Sequence, residues 1–172
     1  ILFVTFRLLA LTAYRPGGLV LDFSDFYWYR AFAELIRQGY YPYDNLWTTY
    51  PPLFPLVMIA IYEISALLPP WEHNNLWFTL LLGGFFLLFE IGNFILLYLL
   101  ALMLAASDTT DQRRPKPDTQ TAVRSAWIYA ALFVPVYTLT GWFESYPLFF
   151  FLLSLYLLLK NRPYWSAFFT GI

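Results

Sequence analysis

Asp22 and Asp25 stand three residues apart where an apolar run gives way to the stretch SDFYWYRAFAELIRQGYYPYDNLWTTYPPL, residues 24–53. An acid at the start of a helix is stabilised as its anion by the free amide groups and the dipole there. A carboxylate held ionised at the boundary of water and lipid is what a general base needs to take a proton from a hydroxyl beside a lipid headgroup. The plainer reading is that Asp25 simply favours a helix start and Asp22 is a solvated loop acid.

The elements that would hold these acids follow from periodicity. Ser24 can cap a helix and Gly39 can end it. Between them Phe26, Tyr29, Ala33 and Ile36 recur at helical spacing, with Trp28, Phe32 and Leu35 widening the apolar face. Arg30, Glu34 and Arg37 form the polar stripe. Such a helix lies flat at headgroup level. The surrounding chain explains why lipid is near: 60% of its residues are hydrophobic and only 12% charged. Soluble domains run at about 45–50% apolar and about 25% charged. The expected class is therefore all-α, a polytopic integral membrane helix bundle with an external loop that contains juxtamembrane amphipathic helices.

A crossing needs roughly 20 apolar residues for about 30 Å of hydrocarbon. Residues 1–14 read as the end of a first transmembrane helix, broken by Arg15, Pro16, Gly17 and Gly18. Residues 15–75 read as one external loop with helices at about 25–38 and 53–68, and residues 76–105 as a full crossing that opens on Trp77. Residues 106–122 form a polar loop, 123–140 and 146–160 two further crossings around an external turn at 141–145, and 164–172 the start of another helix. Arg113, Arg114, Lys116 and Arg124 gather in one loop, Lys160 and Arg162 in another, which puts both on the cytoplasmic side. Consistent sidedness requires that residues 53–68, with Pro51, Pro52 and Pro55 at the front and Glu63 inside, do not cross. Ile1 and Ile172 both fall inside apolar runs, so the chain reads as the N-terminal fragment of a longer protein.

The order of motifs resembles the first external loop of the GT-C superfamily of polytopic membrane glycosyltransferases. It runs Asp25, Tyr27, Tyr29, Ala31, Gly39, Pro42-Tyr43, then Tyr50-Pro51-Pro52-Leu53. Gly141-Trp142-Phe143-Glu144-Ser145-Tyr146-Pro147, an apolar run and Lys160-Asn161-Arg162 look like the external turn and following helix of bacterial and archaeal members. Trp142 stands where that family has Gln or Arg, and Glu144 where it has Asp. The resemblance implies inverting transfer of a sugar from a polyprenyl-phosphate donor, mannosyltransferase-like, to an acceptor on the outer or lumenal face. It implies Asp25 as the catalytic carboxylate with Asp22 beside it, and Arg30, Tyr43, Tyr50, Pro51, Pro52 and Glu144 as substrate-binding residues. Arg30 or Arg37 could hold the donor phosphate, or snorkel to headgroups. The implied partners are membrane lipid, the donor lipid and other membrane subunits. The implied location is a prokaryotic plasma membrane or the endoplasmic reticulum.

Other chemistries find little support. Asp22 and Asp25 are not an Asp-x-Asp pair, so no metal site is assigned, and a divalent cofactor stays open. The chain has no cysteine and a single histidine, His73, which reads as structural or interfacial. A net charge of -1 with no basic stripe gives no reason to expect nucleic acid. Glu90, deep in a crossing, is a functional or helix-pairing candidate; Asn93 shares its face and could satisfy it, so packing is the favoured reading. The spans lack the paired broken helices of a transporter. A non-catalytic membrane subunit or scaffold that binds lipid or partner helices is the alternative to the enzyme.

Overall fold

The structure, a computed structural model, describes residues 1–13, 25–69, 76–107, 119–132, 138 and 140–171. Among these the chain forms seven helices: α1 (Leu2–Ala13), α2 (Phe26–Arg37), α3 (Leu53–Ala66), α4 (Leu76–Ser107), α5 (Thr119–Leu132), α6 (Ser145–Leu159) and α7 (Pro163–Thr170). No strand occurs among the described residues, only an isolated bridge between Pro42 and Leu46. Asp22, Ser24, residues 14–18, His73, Arg113, Arg114 and Lys116 lie outside the described residues.

The local chemistry of α2 follows its sequence. Phe26, Tyr29, Ala33 and Ile36 are its buried face. Arg30 and Glu34 pair one turn apart at 3.2 Å on the polar side, an arrangement of modest worth at an exposed site. The helix stops at Gly39, whose φ of +97° only glycine adopts freely. There the amide of Gly39 donates to Ile36 O at 2.9 Å and that of Tyr40 to Leu35 O at 3.1 Å, a Schellman ending. The expected widening of the apolar face holds only for Phe32, which packs against the core; Trp28 and Leu35 remain exposed. At the head of α3, Pro52 occupies the capping position, where a missing amide costs no hydrogen bond.

The long helix α4 organises the rest. Among the described residues, its segment Leu76–Ala105 is the one helix long and apolar enough to cross a membrane, with a mean hydropathy of 2.2. The apolar helices α1, α3 and α6 are shorter than a crossing requires, α6 with 15 residues rising about 22 Å. The first half of α4 (Phe78, Leu82 and Phe86) joins α2 and α3 in one core with Phe26, Tyr29, Phe54 and Met58. Its second half joins α6 through Leu96, Leu100 and Leu152. The helix α7 folds back on α6, held by Ser154 Oγ lying 3.1 Å from Ser166 Oγ and 2.6 Å from Thr170 Oγ1.

Between the two cores, α4 carries its polar residues. Glu90 is fully buried and forms an ion pair with Arg7 of α1. Its other oxygen accepts a hydrogen bond from the Thr138 hydroxyl at 2.6 Å. The Arg7 guanidinium lies 3.6 Å above the Phe3 ring. Asn93 does not satisfy Glu90, as the shared face led us to expect. Its amide nitrogen donates instead to the backbone oxygen of Ser145 at 2.9 Å, so one turn of α4 holds α1 and the next holds the head of α6.

Candidate functional site

Asp25 heads α2 at the junction of three segments far apart in sequence. Its backbone amide donates to Thr140 O at 2.8 Å, which ties the start of α2 to the connection before α6. The next residue in that connection, Gly141, has φ +74°. A Cβ there would lie 3.1 Å from the Phe26 ring, so the backbone must pass close to the ring without a side chain. Phe143 follows and stacks on Phe54 of α3 at 5.2 Å. The Tyr50 ring meets Tyr29 at 5.4 Å and Phe143 at 5.7 Å, both edge-on.

Tyr29 is the centre of this junction, and it is fully buried. One helical turn after Asp25, it donates a long hydrogen bond to Asp25 Oδ2 at 3.4 Å. Burial pushes its phenol well above the ordinary tyrosine range, and Asp25, Tyr50 and Glu144 push it further. Tyr29 therefore feels all three of those groups at once. Tyr50 is raised by burial and then by Asp25. The Asp25 carboxyl is raised as well: burial is the larger influence, and the Tyr29 hydrogen bond opposes it. The sequence had pointed the other way, to an anion stabilised by the helix end. The difference has a local cause, since the Asp25 side chain makes no capping hydrogen bond and so gains little from the amides it precedes.

The other candidates divide. Glu144 is exposed and occupies the capping position of α6, again without a side-chain cap. Tyr43, with φ +66°, donates its hydroxyl to the backbone oxygen of Tyr50 and so braces the Tyr50-Pro51-Pro52 turn from its exposed side. Within that turn the Phe54 amide donates to Pro51 O at 3.0 Å. Arg30 is directed elsewhere: it pairs with Glu34 and lies 6.0 Å from the Tyr62 ring of α3. Arg37 reaches Glu63 of α3 at 3.7 Å. Both arginines thus join α2 to α3 rather than Asp25. Asp22 lies outside the described residues. Among the described residues no three His, Cys, Asp or Glu side chains lie together to hold a metal ion.

Sequence reasoning did not single out Tyr29, Thr140 or Thr138 as parts of a site. The first was within reach, because residues four apart on a helix face each other and Tyr29 follows Asp25 at that spacing. The two threonines carry no such signal. Comparison with protein-family models, curated proteins and solved structures found no match, so the resemblance described above stands on its motifs alone.

A carboxyl raised by folding favours the folded state while protonated, and that stabilisation is lost as pH rises through its folded-state value. The raised Asp25 should therefore cost stability at neutral pH, and Asp25→Asn should relieve it. Thermal unfolding in detergent should give Asp25→Asn a melting temperature at or above wild type at pH 7, with the difference shrinking below the carboxylate range. A variant less stable than wild type at pH 7 would contradict the burial of that charge.

Proposed function

We propose that this chain belongs to a polytopic membrane glycosyltransferase of the GT-C type, with its reaction centre at Asp25 on the outer or lumenal face. The observation that carries the reading is the junction at the buried Tyr29, where the Asp25 carboxyl at 3.4 Å, the Tyr50 ring at 5.4 Å and the connection that holds the Asp25 amide come together. Three segments distant in sequence meet there, and Asp25 and Tyr50 are drawn partly out of water, although burying such groups is unfavourable without a partner or a substrate. In the proposed reaction the Asp25 carboxylate takes the proton of an acceptor hydroxyl. That oxygen bonds to the anomeric carbon of the sugar as the bond to the lipid phosphate breaks, with inversion, and the phosphate leaves with the electron pair. A carboxyl raised by burial is a stronger base than a solvated one.

The membrane setting is part of the same proposal. Only 28% of the most apolar window of α4 is buried within the protein, whereas the core helix of a soluble protein is mostly covered. Leu88, Ile95 and Leu104 of α4 and Phe151 and Leu158 of α6 face outward, and lipid is the solvent that makes such exposure favourable. In this reading α4 crosses the bilayer, the shorter α1, α5 and α6 lie embedded beside it, and α2 and α3 lie along the outer surface. Tagged single cysteines at Asn45 and Glu144, both exposed, should react with an impermeant maleimide from outside, and one at Thr119 should not. Ser145 is unsuited to that labelling because it is buried. Reaction of Thr119→Cys alongside Asn45→Cys would sink the topology.

A second reading, a non-catalytic subunit or scaffold, is favoured by a different observation. A cleft of about 680 Å³ opens between α1, α4 and α5, lined by Phe3, Phe6, Phe94, Val123 and Trp127 among others and not by Asp25. A partner helix would suit it. Activity separates the two. In the full-length protein, Asp25→Asn should lower sugar transfer from a polyprenyl-phosphate donor by about 10²-fold or more. Near wild-type transfer by Asp25→Asn would rule out its role as the base, whereas a wild-type protein that transfers no sugar would leave the second reading.

A further inference from the structure

The buried Glu90 lies outside the proposed reaction, yet it is connected to it through a very short stretch of chain. Thr138 is fully buried and donates its hydroxyl to Glu90 Oε1 at 2.6 Å. Two residues later, Thr140 O receives the backbone amide of Asp25 at 2.8 Å. Gly141, next along, packs its bare backbone against Phe26, the neighbour of Asp25. Two residues of chain reach at most about 7 Å. The backbone that holds Asp25 is therefore anchored, almost at once, to a carboxylate inside α4. That carboxylate is itself fixed, because Arg7 occupies its second oxygen.

We propose that Glu90 and Thr138 are positioning residues for Asp25: the Thr138 hydroxyl, held by the buried Glu90, fixes the Thr140 carbonyl on which the Asp25 amide rests. The catalytic consequence rests on the glycosyltransferase reading; the geometric one does not. A hydrogen bond to an ionised acceptor away from water is short and strong. It is a side-chain anchor of residue 138, so its loss loosens the hold on the segment at that end. An error of about 1 Å in the placement of a reacting group can cost about 10²-fold in rate. Ground-state binding of the donor depends on other contacts and should change little.

The plainer alternative is that Thr138 only satisfies an oxygen of Glu90. Thr138→Val and Thr138→Ser in the full-length protein distinguish the two, with hydrogen exchange at the Asp25 amide and steady-state transfer as readouts. Thr138→Val should raise exchange at Asp25 by at least about tenfold relative to α6 amides, and Thr138→Ser should restore protection. In transfer assays Thr138→Val should lower kcat about tenfold or more, with KM for the donor near wild type, and the serine variant should recover kcat. Unchanged exchange at Asp25 in Thr138→Val would overturn the proposal, whatever the protein's activity. Loosened exchange with unchanged kcat would overturn the catalytic role. A wild-type protein that transfers no sugar would remove the glycosyltransferase reading, while the exchange data would still decide the geometry.

Discussion

A carboxylate in the interior of a long apolar helix must find a cation and further hydrogen bonds, because an isolated charge in an apolar medium is too costly to persist. Glu90 meets that demand with Arg7 on one oxygen and Thr138 on the other. The consequence is architectural. The first helix of the chain is bound to α4 at one point, and the segment before α6 is bound to the same point from the other side. Asn93 adds the third tie, to the backbone at Ser145. The middle of α4 is thus a polar clamp between two apolar cores, and the elements above it inherit their places from it.

The aromatic junction at Tyr29 depends on that placement. Its rings, from α2, the Tyr50 turn, α3 and the 141–145 connection, form a contiguous set of edge-on and stacked pairs. Such pairs are individually small, about 0.5–1.5 kcal/mol beyond area burial, but they leave little freedom to the groups between them. Asp25 sits at the rim of this set, partly withdrawn from water, with its amide held and its carboxyl raised. A held backbone combined with a carboxyl drawn partly out of water is an unfavourable arrangement for a structural residue. It suits a residue that must accept a proton.

The sequence made some of this readable and hid the rest for physical reasons. Helix α2 could be placed from the spacing of Phe26, Tyr29, Ala33 and Ile36 and from Gly39, because both signals are local. Local rules failed at Asp25. A helix start stabilises an anion only if its amides reach the side chain, and here they do not. They failed again at Glu90, where Asn93 looked the natural partner because it shares a face. The true partners come from α1 and from residue 138, which no helical periodicity brings near. Arg7 did leave a trace, as the lone charge in the run ILFVTFRLLALTA. Two opposite charges buried in separate apolar helices are candidates to meet, and that was the inference to draw. Arg30 shows the converse: its charge invited a phosphate, but Glu34 and Tyr62 already engage it.

In the folded protein the Tyr50 turn and the 141–145 connection meet over Tyr29. The chain has no cysteine, so paired cysteines can test it on a clean background. Tyr50→Cys combined with Phe143→Cys, whose rings lie 5.7 Å apart, should be joined rapidly by a short bifunctional maleimide in native membranes. Tyr50→Cys paired with Trp127→Cys, which lines the cleft beside α1, should not. Cross-linking of the first pair no faster than the second would mean that the segments do not converge, and the account built on Asp25 would fall with it.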